Sequence, residues 1–275
     1  MQTEGVYAAQ PETARDEVIV SCRRLSVRRG QRIVVRYASL DIRSGETVSL
    51  IGPNGAGKTT LMLALLGVLP PADGGVQSGG RDLGSLPSRT RGKLASYVPQ
   101  TLERIPEFSV YDVVATGRFP HVRPLSPLSS EDHAAIEAAL EICGIHSLAH
   151  RPLNELSGGE RQKTLIAAAI AQDARAMFLD EPSTALDPAY QIELVRMLRA
   201  WRSRGRAIVM VSHDLHLPAT LGGRVIALRD GEVVADDAAE RVLTPSRLEA
   251  IYGARFEIAR TPDGEQFVVP VWWSR

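Results

Sequence analysis

Apolar and polar positions along the chain repeat with two different periods, and the two periods alternate. Short apolar runs, typical of strands buried in a parallel sheet, occur at 46–52, 95–100, 176–180 and 207–212. Segments with helical period follow three of these runs, at 57–67, 189–204 and 214–221. This repeated succession of strand and helix predicts an α/β domain, in which helices flank a parallel sheet.

Other segments have the pattern of antiparallel strands. Residues 18–27 and 31–42 predict two strands joined by a turn at Gly30. Residues 70–92, rich in proline and glycine, predict turns with a small hairpin, and residues 224–234 predict a second hairpin. We therefore expect an antiparallel β subdomain at the N-terminal side of the parallel sheet.

The stretch between the second and third apolar runs differs in character from the rest. Residues 101–172 contain segments of helical period separated by proline-containing loops, which predicts a helical insert. Towards the C-terminus, a short helix at 246–253 precedes a hairpin at 255–271 that turns at Pro262–Gly264. The predicted organisation is a flexible tail (1–16), one domain (17–252, with the helical subdomain at about 101–172) and a C-terminal β extension (253–275).

Composition narrows the possible functions. Lysine plus arginine and aspartate plus glutamate each number 32, so the net charge is zero and nucleic acid is not an expected partner. Cys22 and Cys143 lack metal-ligand spacing and are predicted to be buried thiols. The longest apolar run, Leu61–Leu69, is too short to cross a bilayer, which needs about 20 residues. The N-terminus lacks the apolar core of a signal peptide, so any membrane role would require a partner.

One motif predicts a phosphate-binding loop. "GPNGAGKT" has the pattern G-x-x-x-x-G-K-[ST] between a predicted strand and a predicted helix, which is the context that this motif requires. Its glycines let successive N–H groups form an anion-binding nest, Lys58 can reach the β- and γ-phosphates, and the Thr59 hydroxyl can bind Mg²⁺. The candidate ATP-binding residues are Gly52, Pro53, Asn54, Gly55, Ala56, Gly57, Lys58, Thr59 and Thr60.

Acidic residues at a strand end supply candidate catalytic groups. The run "AMFLDEP" ends in Asp180, a candidate Mg²⁺ ligand together with Thr59 and Gln100, and in Glu181, a candidate general base for an attacking water. Gln100 ends a predicted strand and is predicted to approach the metal and the attacking water, and His213 follows a predicted strand and is predicted to contact the γ-phosphate. Without the phosphate loop, the acidic pair would more simply be solvated and His213 would be structural.

A second glycine-containing motif begins a predicted helix. In "NELSGGERQ", Ser157 and Glu160 have the spacing of a capping box. A cap alone does not explain Gly158 and Gly159, because each glycine in a helix costs about 1 kcal/mol relative to alanine. Glycine allows close approach of the backbone, and helix N-termini bind anions. These residues therefore predict contact with an anion.

The order of these motifs resembles the nucleotide-binding cassette of ABC transporters, over roughly residues 18–250. The resemblance implies a P-loop NTPase core with a parallel sheet, an N-terminal antiparallel β subdomain and a helical insert. It implies a transport-coupled ATP hydrolase that pairs head-to-tail with a second copy. The signature residues Ser157, Gly158, Gly159 and Glu160 would then grip the ATP held by Lys58 of the other chain, with Asp187 at the interface.

One position departs from the family pattern. The aromatic residue that commonly stacks on adenine is replaced by Arg29 in "LSVRRG". A guanidinium plane can also stack on a base, so Arg29 is a candidate adenine contact. Base preference is the property that this change puts in doubt.

"GRFPH" at 117–121, together with "SHDLHLPA" and "LTPSRLEAIYG", resembles importers of metal chelates. That resemblance implies a polytopic permease as partner, an extracytoplasmic substrate-binding protein as indirect partner, and a location at the cytoplasmic face of the cell membrane. Arg118 and Phe119 are expected to contact the permease; the alternative is that they occupy a surface loop without such a role. For the cargo we rank ferric siderophore first, cobalamin second and haem third.

Other classes fit the sequence less well. A DNA-repair ATPase of this type would carry a long coiled-coil insertion, and a ribosome-associated factor would carry two cassettes in one chain. A subunit that binds ATP without hydrolysis is opposed by the presence of Glu181 and His213. Export is disfavoured because no membrane segment is fused to the cassette.

Overall fold

The computed structural model describes residues 17–102, 104–105, 107–184, 187–260 and 266–271. The strands in this part of the chain are β1 (Val18–Arg29), β2 (Arg32–Arg43), β3 (Thr47–Ile51), β4 (Asp73–Ser78), β5 (Arg81–Asp82), β6 (Ala95–Val98), β7 (Ala176–Asp180), β8 (Ala207–Val211), β9 (Arg224–Arg229), β10 (Glu232–Ala238), β11 (Phe256–Arg260) and β12 (Gln266–Pro270). The helices are α1 (Lys58–Leu65), α2 (Ser88–Leu94), α3 (Val110–Thr116), α4 (Ser130–Ile142), α5 (Gly158–Ala171), α6 (Pro188–Arg202), α7 (His216–Leu221), α8 (Ala239–Val242) and α9 (Pro245–Tyr252). The predicted tail at 1–16 and the predicted turn at Pro262–Gly264 lie outside the described residues.

Six strands form the central sheet in the order β10-β9-β3-β8-β7-β6. All neighbours are parallel except β10, which pairs with β9 as an antiparallel edge strand. Strands β3, β7 and β8 are buried at every position, as expected for inner strands covered on both faces. The predicted α/β fold class is confirmed. Because the inner strands are parallel, the segments that follow β3, β7 and β8 leave the sheet at the same edge.

A second, antiparallel sheet has the order β2-β1-β4-β5. The predicted pairing of the two N-terminal strands is observed, but β4 also pairs with β1 rather than forming only a local hairpin. Gly74 permits this contact, because a Cβ there would lie 2.4 Å from the carbonyl oxygen of Arg23. The prediction for residues 70–92 also omitted α2. This helix buries none of its residues, so it has no apolar stripe that could identify it in the sequence.

The predicted helical segment contains α3, α4 and α5, which pack against one another around a shared apolar cluster. Helices α3 and α5 approach closely at Gly117, where a Cβ would lie 2.2 Å from the carbonyl oxygen of Ala168. The exact limits of the helical subdomain and of the C-terminal extension remain predictions. Of the helices in the described residues, none combines the length and apolar character needed to span a bilayer.

The "GRFPH" segment is built differently from our expectation. Arg118 is only 8% exposed; its Nε donates to Asp132 Oδ1 at 2.8 Å and its Nη1 to the Ala171 carbonyl at 2.7 Å. The prediction that Arg118 contacts a partner at the surface is therefore wrong: the guanidinium is used to join the end of α3 to α4 and α5. Phe119, by contrast, is 57% exposed, so the expectation that it contacts the permease remains a prediction.

Replacing Arg118 by methionine should strongly destabilise the chain. Arg118→Met leaves the Asp132 carboxylate buried without its cation, and loss of one partner of a buried pair costs about 3–5 kcal/mol. Urea denaturation of the isolated chain measures this loss. Arg241→Met is the matched control, because Arg241 pairs with Asp237 at an exposed site where less than about 1 kcal/mol is expected.

The pH dependence of this difference provides a second check. Burial alone would raise the pKa of Asp132, but hydrogen bonds from Ser129 and Arg118 outweigh burial and lower it to about 2. Because the folded-state pKa is below the unfolded-state pKa of about 4, the ionised carboxylate stabilises the fold fully above pH 4. This stabilisation is lost as the pH falls towards 2. The gap between wild type and Arg118→Met should therefore shrink below about pH 4. A constant gap down to pH 2 would contradict the ion-pair explanation.

The C-terminal residues form a small antiparallel unit. Strands β11 and β12 pair as an antiparallel hairpin, as predicted. Residues from α9 and β12 share an apolar cluster with Ile51 at the end of β3. Cys22 and Cys143 are buried free thiols, as predicted, and burial raises the pKa of each.

Candidate functional site

The phosphate loop lies between β3 and α1, and its glycines are required by the backbone. Gly52, Gly55 and Gly57 have φ angles of 139°, 78° and 100°, in the region that favours glycine. A Cβ at Gly52 would lie 2.0 Å from the Leu228 carbonyl oxygen, and one at Gly57 would lie 2.9 Å from that of Val34. Only glycine therefore allows the loop to fold tightly against β9 and β2.

Lys58 is a buried cation held by the loop itself. Its Nζ donates to the carbonyl oxygens of Gly52 and Pro53 at 2.8 and 2.9 Å, and the residue is 5% exposed. Burial lowers the pKa of Lys58, while the carboxylates of Glu181 and Asp180 act in the opposite direction. Carbonyl oxygens only partly compensate a buried ammonium. The group is thus arranged to accept an anion such as a phosphate.

Asp180 meets Thr59 at the edge of the sheet. The Thr59 hydroxyl donates to Asp180 Oδ1 at 3.0 Å, and the Tyr97 hydroxyl lies 3.4 Å from Oδ2. Burial raises the pKa of Asp180, although these hydrogen bonds lower it in part. A nearby cation would stabilise the carboxylate, and a hydroxyl with a carboxylate is a donor set suited to Mg²⁺.

Within the described residues, no group of three or more His, Cys, Asp or Glu side chains could hold a metal. A cation at Thr59 and Asp180 would therefore depend on other oxygen ligands. Mg²⁺ commonly takes them from water and from substrate phosphates. The donor set thus fits a cation that arrives with a nucleotide better than a permanently bound structural metal.

Glu181 lies at the centre of a set of converging side chains. Gln100 Nε2 donates to its Oε2 at 2.7 Å, the Thr184 hydroxyl lies 3.2 Å from the same oxygen, and His213 Nε2 contacts Oε1. Glu181 has a φ of 49°, which is unusual for a residue with a side chain. Three polar side chains thus converge on one carboxylate.

These groups line one cavity of about 430 Å³. Its lining residues are Val34, Asn54, Gly55, Gly57, Lys58, Thr59, Thr60, Gln100, Glu181 and His213. The structure thus brings together most of the predicted ATP-binding and catalytic residues. Pro53 and Ala56 line an adjacent cavity, and Arg29, exposed at the end of β1, is not among the residues that line this one.

Three of the four signature residues, Ser157, Gly159 and Glu160, line a different cavity of about 320 Å³, the signature cavity. Ser157 and Glu160 form the predicted capping box at the start of α5, with Ser157 N donating to Glu160 Oε2 at 2.8 Å. Those hydrogen bonds lower the pKa of Glu160. A Cβ at Gly158 would meet nothing within 4 Å, so contacts within this chain do not require glycine there.

Asp187 lies beside this second cavity and also has a structural role. It is the N-cap of α6, where its Oδ1 accepts a hydrogen bond from Tyr190 N at 2.8 Å. The two residues between Thr184 and Asp187 lie outside the described part of the chain. Thr184 thus belongs to the Glu181 cluster, and Asp187, three residues later, belongs to the wall of the signature cavity.

Comparison with known proteins decides the family. The family model described as "ABC transporter" matches residues 35–184, which is more than half of the chain. The chain belongs to the ABC transporter family. It is accordingly an ATPase cassette, and the fold and the sequence motifs agree with this assignment.

Individual relatives of the cassette are similar over most of their length. The iron(3+)-hydroxamate import ATP-binding protein of Bacillus subtilis is 36% identical over 244 residues, covering 88% of this chain and 91% of the relative. The hemin import ATP-binding protein of Nocardia farcinica is 40% identical over 265 residues, covering 94% and 91%.

Solved structures show the same fold as the cassette. An inward-facing metal-chelate type ABC transporter has a TM-score of 0.80 at 25% identity, covering 92% of this chain and 97% of that one. A dimeric bacterial ABC transporter cassette has a TM-score of 0.71 at 25% identity, covering 80% and 98%.

Sequence reasoning missed three residues in or beside the nucleotide cavity, which is the cavity lined by Lys58 and Glu181. Val34 lines the cavity, Thr184 contacts Glu181, and Tyr97 contacts Asp180. Tyr97 could have been recognised as the aromatic residue in the otherwise small and aliphatic strand that leads to Gln100. Val34 carried no signal, because its place at the cavity depends on how the two sheets pack.

Proposed function

We propose that the chain is the ATP-hydrolysing subunit of an importer that takes up an iron chelate through a separate membrane permease. The observation that carries the two-chain part of this proposal is the separation of two cavities, one lined by Lys58 and Glu181 and the other by Ser157 and Gly159. Each chain thus offers two half-sites. A second copy, placed head-to-tail, would supply the signature cavity to the nucleotide held by the first.

In this proposal the phosphate loop binds the triphosphate. The N–H groups of the glycine nest and Lys58 hold the β- and γ-phosphates, so Lys58 exchanges its carbonyl partners for phosphate oxygens. Thr59, Asp180 and the amide oxygen of Gln100 would hold Mg²⁺, which neutralises phosphate charge when bound. Burial of Asp180 and its contact with Thr59 support this donor set.

Hydrolysis requires a base beside the terminal phosphate, and we assign that role to Glu181. Its carboxylate accepts a proton from water and orients it for attack. Gln100 and His213 hold the two carboxylate oxygens, so they fix the direction of the base before substrate binds. His213 would also donate to the γ-phosphate. Arg29 remains a proposed adenine contact, and its exposure at the end of β1 leaves the side chain accessible to a base.

The dimer proposal explains the glycines of the signature. Gly158 has open space around its missing Cβ, and the N-terminus of the fourteen-residue helix α5 points positive partial charge to the same place. A γ-phosphate brought by the partner chain fits both features. Asp187, on the wall of the same cavity, would lie at the interface.

We place the chain at the cytoplasmic face of the cell membrane, attached through the permease. Exposed apolar residues near the helical segment, Phe108, Phe119 and Leu125, give a surface for such a contact. An extracytoplasmic substrate-binding protein would deliver the cargo from outside. The cassette itself does not contact the cargo in this arrangement, so its side chains do not identify it.

For the cargo, ferric siderophore remains our first proposal, supported by the hydroxamate importer among the relatives. Haem is the second candidate and moves ahead of cobalamin, because a hemin importer is also among the relatives. Deleting the gene in its host and supplying one iron source at a time tests this ranking. We expect growth and ⁵⁵Fe uptake on a ferric hydroxamate to fail and to recover with the wild-type gene, but not with Glu181→Gln.

Haem and cobalamin are the comparison substrates in the same strains. Loss of growth on haem alone would replace the first cargo by the second. Normal uptake of all three compounds in the deleted strain would contradict the import proposal.

A further inference from the structure

The C-terminal segment reaches the phosphate loop through one side chain. Tyr252, the last residue of α9, accepts a hydrogen bond at its phenol oxygen from Gly52 N, with a distance of 3.0 Å. Gly52 is the first residue of the loop, and its carbonyl oxygen accepts the bond from Lys58. The phenol and the ammonium therefore hold the two polar groups of the same glycine.

Neighbouring apolar groups fix the position of the phenol. The ring of Tyr252 packs against Phe256 at the start of β11, with ring centroids 5.6 Å apart. Leu248 and Ile251 of α9 are buried in one cluster with Ile51, which directly precedes Gly52. Burial raises the pKa of Tyr252 to about 12, although the bond from Gly52 lowers it in part, so the phenol is neutral at physiological pH.

The C-terminal hairpin also contacts the helix that follows His213 in the chain. Phe267 on β12 packs against His216, with ring centroids 5.3 Å apart. His216 begins α7, three residues after His213. Val268 of the same strand is buried in the cluster that contains Ile51 and Leu215. The hairpin thus shares an apolar cluster with Ile51, which precedes the phosphate loop, and contacts His216, which lies three residues after His213.

We infer that Tyr252 is a positioning residue for the phosphate loop and that the C-terminal hairpin holds it in place. The inference rests on the proposed role of the loop in binding ATP. Without the phenol oxygen, the Gly52 N–H at the end of β3 loses its acceptor and the peptide gains freedom to rotate. Nucleotide binding must then order the loop, and that ordering reduces affinity.

Tyr252→Phe tests the inference, because it removes only the oxygen. We expect the dissociation constant for a non-hydrolysable ATP analogue, measured by calorimetry, to rise about tenfold. The KM for ATP should rise to the same extent while kcat stays within about twofold, since the base and the signature are unchanged. A purely structural role would lower the melting temperature and leave the dissociation constant and the KM unchanged.

Tyr111→Phe is the matched control. It removes a phenol hydrogen bond to His133 in the helical segment, 2.6 Å long, and should leave nucleotide affinity at the wild-type value. Wild-type affinity in Tyr252→Phe overturns the inference, whatever the melting temperature. Failure of the wild-type chain to bind the analogue would instead overturn the proposed function.

If Tyr252→Phe does not fold, Phe256→Leu decides. This variant keeps the phenol and weakens the ring contact that holds it, so we expect affinity to fall about two- to threefold. Reduced affinity with a folded chain supports the inference, and unchanged affinity overturns it.

Discussion

Glu181→Gln should bind ATP as tightly as the wild type and hydrolyse it about 10²–10⁴-fold more slowly. The amide has nearly the shape of the carboxylate, so Gln100, Thr184 and His213 can remain in place around it. It cannot accept a proton from water. A nucleotide that is bound but not cleaved should keep two chains together, and size-exclusion chromatography with ATP should show a stable dimer.

The control is Glu131→Gln, a substitution of the same kind in the first turn of α4, away from the nucleotide cavity. It should leave both turnover and the monomer–dimer equilibrium unchanged. Turnover of Glu181→Gln near the wild-type rate would remove Glu181 from the role of base. Loss of ATP binding in the variant would show that the carboxylate supports the shape of the site rather than the chemistry.

Two inactive variants should restore activity when they are combined in one dimer. Lys58→Ala removes the phosphate-binding cation, and Ser157→Arg fills the signature cavity, so each homodimer has two defective sites. In a dimer of one chain of each kind, one site receives both substitutions and the other receives neither. A tandem-linked pair should therefore show ATPase activity above either parent.

The distribution of the same two substitutions provides the control. A tandem pair with both substitutions in one half and none in the other has no intact site if the signature acts across the interface. If the signature instead acts within its own chain, the activities of the two pairs are reversed. If both sites must hydrolyse ATP together, one intact site would not restore activity. ATP-dependent dimerisation of the unlinked mixture should therefore be measured in parallel. Absence of both recovered ATPase activity and ATP-dependent dimerisation would contradict the head-to-tail arrangement.

The strands and helices that carry motifs were the elements most accessible from sequence. The phosphate loop was identified because its glycines, lysine and threonine have fixed spacing, and the structure shows why: each glycine faces backbone that leaves no room for a side chain, or has a positive φ. Strands β3, β7 and β8 were recognised because burial on both faces makes them continuously apolar.

Other features could not be read from local pattern. Arg118 in "GRFPH" looked like a surface cation, and its burial depends on Asp132 and Ala171, which are far from it in sequence. The bond from Gly52 to Tyr252 spans two hundred residues. Helix α2 has no apolar face. For Arg118 and Tyr252 the decisive contact is with a residue outside a local sequence window, and α2 lacks the apolar period by which a helix is recognised.

The separation of the two cavities has a consequence for where in the cell ATP is hydrolysed. If every complete site needs two chains, an isolated cassette consumes little ATP, and the rate per chain rises with concentration until pairing saturates. Two cassettes tethered to one permease experience an effective concentration in about the millimolar range, so pairing there no longer depends on expression level. Unpaired copies would hydrolyse little ATP, whereas copies bound to the permease would hydrolyse it at the full rate. The incompleteness of the single chain would confine fuel consumption to the membrane, where cargo can be moved.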